Sequence, residues 1–153
     1  MAAPATFPRD LPPVWLVLAL AAIWGLHLWA PGGVWLQAPW TWVGWACVGA
    51  AVGLAGSSVL RFRRAGTGVR PFTPATAVVQ TGAFRWTRNP MYIGLVGVTF
   101  GTAVGLGTWS PLLVAPAFFL LLDRRFVRAE ERFLRQRFGA SYDDYCRRVR
   151  RWL

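Results

Sequence analysis

Residues 81–94 read TGAFRWTRNPMYIG, with arginines at 85 and 88, then Asn89 and Pro90, then the first residues of an apolar run. From Asn89 to Leu122 the chain carries no Asp, Glu, Lys or Arg, and a second charge-free stretch reaches from Leu11 to Leu60. Charged residues make up only 15% of the 153 residues, and they are gathered at the borders of these stretches. Long apolar segments with arginine at their edges are the pattern of a polytopic membrane protein. The expected fold is all-α, with about four transmembrane helices and a cytoplasmic amphipathic C-terminal helix.

Four spans follow from the punctuation. The first covers about 14–30 and ends at Pro31-Gly32-Gly33; the second covers about 40–60 and ends at Arg61-Phe62-Arg63-Arg64. The run from Met91 to Leu122 would be about 48 Å long as one helix, well beyond a bilayer core of ~30 Å. Two helices, 91–107 and 111–126, joined by a tight turn at Gly107-Thr108-Trp109-Ser110, fit better. Pro111 suits a first helical position, where its missing N–H costs nothing. Arg124 and Arg125 can snorkel to the interface.

The 17 basic residues are all arginine. Six lie in the loop 61–89, ten lie after Leu122, and Arg9 precedes the first span, while the connections 31–39 and 107–110 are uncharged. The positive-inside rule then puts both termini, the loop and the tail 127–153 in the cytoplasm, with one domain over 1–153. The arginine-only, Ala- and Gly-rich composition suggests a GC-rich genome and a bacterial inner membrane. A net charge of +11 would also suit nucleic acid, but its placement beside apolar spans suits lipid head groups instead. The implied partners are the bilayer and a lipophilic small-molecule or lipidated acceptor. No disulfide or metal site is expected from Cys47 and Cys146. His27, alone in the first span, reads more simply as a packing histidine than as a ligand.

Gly94, Gly97, Gly101 and Gly105 fall on one face of the third span, where they let another helix approach closely; Gly49, Gly53 and Gly56 form a similar ridge on the second. In the tail, Asp123–Gly139 reads as one amphipathic helix with Phe126, Val127, Phe133, Leu134 and Phe138 on its apolar stripe. Glu131 falls at the edge of that stripe, within reach of Arg128 and Arg135, as a surface pair of ~0.3–0.5 kcal/mol. Glu130 falls inside the stripe and needs a cation or donors, from another helix or from a ligand. At the start of the third span Asn89 is placed to cap, Pro90 to occupy the first position and Tyr92 to sit in the aromatic belt. Arg88 beside that helix start adds to its positive potential and makes a site for a carboxylate.

The order Arg88-Asn89-Pro90, Tyr92, Gly94, then Glu130-Glu131, then Phe138-Gly139, Tyr142 and Tyr145 resembles the isoprenylcysteine carboxyl methyltransferase and phospholipid methyltransferase superfamily over about the last three-fifths of the chain. Asn89 stands where the carboxyl methyltransferases proper carry histidine; it can donate a hydrogen bond but cannot take a proton near neutral pH. The resemblance implies S-adenosylmethionine as cofactor and methyl transfer to a membrane-partitioned acceptor, an isoprenylcysteine carboxylate or a lipid amine. It implies Arg88, Asn89 and Glu130 as catalytic residues. It also implies a cofactor site of Arg88, Asn89, Pro90, Tyr92, Gly94, Glu130 and Glu131, with Trp86 beside the adenine. In that arrangement Glu130 and Glu131 hold the cofactor's amino group or ribose hydroxyls, and Arg88 and the N–H groups after Asn89 take its carboxylate. Two other readings compete: a non-catalytic scaffold anchored by arginines, and a membrane reductase, for which no Gly-x-Gly-x-x-Gly or strand is present.

Overall fold

The computed structural model describes residues 11–66 and 78–153; Arg9 and Arg70, counted above among the flanking charges, lie outside them. Six α-helices follow in order: α1 Pro12–Trp29, α2 Thr41–Arg64, α3 Pro90–Leu106, α4 Val114–Leu122, α5 Arg128–Phe138 and α6 Ala140–Arg148. Short 3₁₀ turns at Gly82–Arg85 and Ser110–Leu113 precede α3 and α4, and a π turn at Asp123–Val127 joins α4 to α5. Among the described residues there is no strand, only isolated bridges between Val34 and Thr108 and between Thr87 and Arg150.

Two helices, α1 and α2, are long and apolar enough to cross a bilayer. Only 17% of either apolar window is buried inside the protein. The core helix of a soluble domain would be mostly covered, whereas these leave Val17, Trp29, Trp42 and Val52 outside. Lipid is the remaining cover. At 17 residues α3 is shorter, and α4 reaches its full length only by running on through the π turn into α5.

The glycine face of α3 packs on α2. A Cβ at Gly94 would lie 2.8 Å from the Ala51 carbonyl and from Ala55 Cβ, and one at Gly97 2.8 Å from Ala51 Cβ. At Gly101 the neighbours are Gly44 and Val48. The α2 ridge expected at Gly49, Gly53 and Gly56 plays no such part: nothing lies within 4 Å of the space above those three. The contact face of α2 is Gly44, Val48, Ala51 and Ala55, where a small residue every turn suffices and glycine is not required throughout.

The two uncharged connections meet at one end of the bundle. Gly107 ends α3 in the left-handed conformation, φ +69°, and any side chain there would overlap the Leu36 carbonyl. Trp35 N–H donates to Gly107 O at 2.9 Å, Trp109 N–H to Gly33 O at 3.2 Å, and Ser110 N–H to Pro31 O at 3.2 Å. His27 is part of this junction, its Nδ1 3.0 Å from the Thr108 hydroxyl. The arginine-rich segments converge on the opposite end, where α3 starts and α4 continues into the tail.

Candidate active site at the arginine-rich end

Residues 87–89, which follow the 3₁₀ turn, lie against the segment after α6. Arg88 N–H donates to Arg150 O at 2.9 Å. The Thr87 hydroxyl and Asn89 Nδ2 both donate to Arg151 O, at 3.1 and 3.0 Å. Asn89 thus stands at the N-cap position of α3 without making the side-chain cap expected of it; the Arg151 carbonyl has drawn its amide away. The buried Tyr145 closes the same seam, its hydroxyl donating to Phe84 O at 2.7 Å. Burial pushes that hydroxyl up to about 12, so it stays protonated despite the opposing Arg88 charge.

Arg88 is largely consumed inside this knot. Its Nε and Nη2 donate to Glu131 Oε1 at 3.1 and 3.0 Å, and its Nη1 donates to the carbonyls of Cys146 and Val149 at 3.1 and 3.0 Å. Of five guanidinium N–H groups, four are engaged. The other Glu131 oxygen receives Arg151, from Nε at 3.0 Å and Nη2 at 2.6 Å. Glu131 is therefore no surface pair with Arg128 and Arg135. It is buried, at 5% exposure, between two arginines supplied by other parts of the chain. Arg128 pairs instead with Asp123 at 2.7 Å, and Arg135 with Asp143 at 2.7 Å.

Glu130 has different company. Its Oε2 accepts the Tyr92 hydroxyl at 2.9 Å, and among the described residues no cation pairs with it. The residue as a whole is only half-buried, yet its carboxyl group lies deep among protein atoms. Burial raises its proton affinity well above the ordinary glutamate range; the adjacent Glu131 charge adds to this, and the Tyr92 hydrogen bond opposes it. Both glutamates are thus drawn in from the surface, and Glu131 further than the helical wheel expects. The π turn at Asp123–Val127 departs from the regular 100° wheel at the start of this stretch.

Several participants were not singled out from sequence. Asp123 is buried at the end of the charge-free run, where a lone acid was the available signal. Trp152 donates to Asp123 Oδ1 at 3.3 Å and packs on Phe119 with ring centroids 4.8 Å apart. Arg151, one of the ten tail arginines, is part-exposed but turns its guanidinium onto Glu131. Tyr142 and Tyr145, named above only for the resemblance they carry, are buried. Trp86, by contrast, is 79% exposed.

Two apolar clefts flank α3. One, of about 450 Å³, is lined by Ile93, Val96, Gly97, Phe100, Phe119 and Trp152, with Leu153 at its edge. The other, of about 420 Å³, opens between α1, α2 and the Met91–Leu95–Val98 side of α3. A polar, arginine-braced mouth therefore adjoins two routes open to an apolar chain.

Comparison with known proteins gives this arrangement a family. Residues 39–141 match the phospholipid methyltransferase family. The chain is 34% identical over 76 residues to protein-S-isoprenylcysteine O-methyltransferase of Saccharomyces cerevisiae, an alignment covering 47% of this chain and 30% of the yeast protein. It is 32% identical over 63 residues to an uncharacterized protein of Haemophilus influenzae, covering 41% of this chain and all of that one. No solved structure matches. The family match takes in α2 to α5, with Tyr92, Glu130 and Glu131 inside it, and the chain belongs to the phospholipid methyltransferase family.

Proposed function

We propose that the protein transfers a methyl group from S-adenosylmethionine to a lipophilic acceptor that reaches the site from the bilayer, an isoprenylcysteine carboxylate or a lipid amine. The observation that carries this reading is Glu130. An enclosed carboxylate with one neutral donor and no cation among the described residues is costly to keep. A cationic ligand explains its presence, and a scaffold without catalysis leaves it unexplained.

The residues present fit the cofactor at its amino group, which Glu130 receives while Tyr92 holds the carboxylate in place. The first turn of α3 follows Pro90, and the first N–H to find a carbonyl one turn back is that of Ile93, on Asn89 O at 3.0 Å. The N–H groups of Met91 and Tyr92 face the same end and suit the ligand's carboxylate. Arg88 and Glu131, in this reading, brace the site against each other, with Arg88 keeping one N–H for a ligand. When bound, S-adenosylmethionine supplies a methyl on a positively charged sulfur, a good leaving group for in-line displacement. The chain's own work is then alignment and exclusion of water: Tyr92 and Glu130 fix one side, and the clefts along α3 hold the acceptor's apolar part. Asn89 offers no proton acceptor near neutral pH, so an ionised carboxylate acceptor suits this site without further help, whereas an amine must lose its proton to another group.

Four membrane crossings, with both termini on the cytoplasmic side of a bacterial inner membrane, complete the proposal. Its support is that every connection at one end of the bundle is uncharged and the arginines gather at the other. The direct test is reconstitution with methyl-labelled S-adenosylmethionine, following label into extracted lipids and into an added prenylcysteine. Label in neither, from protein shown to be folded, would sink the assignment.

A further inference from the structure

Two carboxylates and two arginines meet at this end of the molecule, and the pairing is lopsided. Both arginines go to Glu131, one to each oxygen: Arg88 Nη2 at 3.0 Å on Oε1 and Arg151 Nη2 at 2.6 Å on Oε2. Glu130, one residue away, receives neither. The segment that carries Arg151 is held in place by its backbone. The Arg151 carbonyl is held by Thr87 and Asn89, Arg150 O by the Arg88 N–H, and Trp152 by Asp123 and Phe119. The chain on both sides of Arg151 is pinned, and its guanidinium is delivered to Glu131.

We infer that Arg151 is a positioning residue: with Arg88 it clamps Glu131 and compensates its charge, so that Glu130, which neither arginine reaches, is left open to a cationic ligand. The inference rests on the reading of Glu130 as the cation site. Among the described residues, the other groups around Glu130 do not supply this compensation. From α3 comes the neutral Tyr92, and α1 carries no Asp, Glu, Lys or Arg. At the α4–α5 junction Asp123 and Arg128 are paired with each other. The uncompensated charge of Glu131 would act on Glu130 across a single residue step, in a site shielded from water.

The test is the pH dependence of S-adenosylhomocysteine binding, measured by calorimetry on the full chain in detergent for wild type, Arg151→Lys, Arg151→Gln and the double variant Glu131→Gln/Arg151→Gln. Thermal melting checks that each is folded. Removing a nearby positive charge favours the protonated acid. Arg151→Gln should therefore bind about tenfold more weakly at neutral pH. It should recover as pH rises, with its midpoint displaced upward but below the pH at which the ligand's own amino group loses its proton. Arg151→Lys keeps the charge and should keep the wild-type midpoint. In the double variant the offending carboxylate is gone and Arg88 remains, so the midpoint should fall to the wild-type value or below it. An unchanged midpoint in Arg151→Gln, or an equal loss of affinity at every pH, would overturn the inference and leave Arg151 a merely structural residue. Should the single variant fail to fold, a midpoint above wild type in the double variant overturns it equally. Absence of binding in wild type itself would instead count against the Glu130 reading underneath.

Discussion

Glu131 has both oxygens on arginine, Arg88 at 3.0 Å and Arg151 at 2.6 Å, whereas Glu130, the residue before it, has one tyrosine hydroxyl at 2.9 Å. Both sit in the first turn of α5, and both are held against the start of α3. The difference lies in what the rest of the chain brings to them. A buried charge whose partners are all internal is a fastening, because removing it strands those partners. A buried charge left short of partners destabilises the folded protein, and such places are where ligands bind. Glu131 therefore reads as structure and Glu130 as function, although a sequence shows them only as a pair.

The sharpest way to break that contrast is Glu131→Gln. It leaves Arg88 and Arg151 facing an amide, and the protein should lose about 2–3 kcal/mol, less than a fully buried pair would because Arg151 is part-exposed. A denaturation series in detergent that showed no loss would dissolve the distinction. Tyr92→Phe is gentler: one neutral donor to a carboxylate is removed, and S-adenosylhomocysteine affinity should fall about fivefold, since a typical hydrogen bond is worth ~1 kcal/mol. Because that hydrogen bond favours the ionised form of Glu130, the loss should grow as pH is lowered.

Titration of the ligand-free protein sharpens the same point. Glu130 is an acid whose proton affinity is higher folded than unfolded. Its contribution to stability is therefore full below the ordinary glutamate value and is lost as pH rises through the folded value. Cation binding runs the other way, strengthening over that same rise. Melting temperature and affinity measured across one pH series should move in opposite directions over this window, and Glu130→Gln should remove both dependences. The smallest effect belongs to the outer face of the tail. Arg135 and Asp143 are 53% and 42% exposed, so Asp143→Asn should change stability by no more than ~0.5 kcal/mol and leave binding alone.

What was legible in the sequence was local. Charge-free runs, Pro90, Gly107 and the glycine spacing on α3 announce helices, their ends and one packing face, because each depends on neighbours within a turn or two. Five residues expected of a site, Arg88, Asn89, Tyr92, Glu130 and Glu131, are brought to one end of the bundle. Their pairing was not legible, because it depends on contacts between distant segments. The inward turn of Arg151 is set by hydrogen bonds to Thr87 and Asn89, more than sixty residues away along the chain. The π turn is also silent in a wheel drawn at 100° per residue. The Gly49–Gly53–Gly56 spacing shows the converse: a periodic signal that the chain does not use in its own packing.

The most direct measurement is calorimetric binding of S-adenosylmethionine and S-adenosylhomocysteine to wild type and Glu130→Gln, at one pH above the Glu130 midpoint. The expected result is wild-type binding that weakens roughly 100-fold in the variant, as for loss of a charged hydrogen-bonding partner, while its melting temperature stays level or rises. Equal binding by both proteins, or a variant that loses binding only because it has unfolded, would contradict the assignment of Glu130 to the ligand and of Glu131 to the fold.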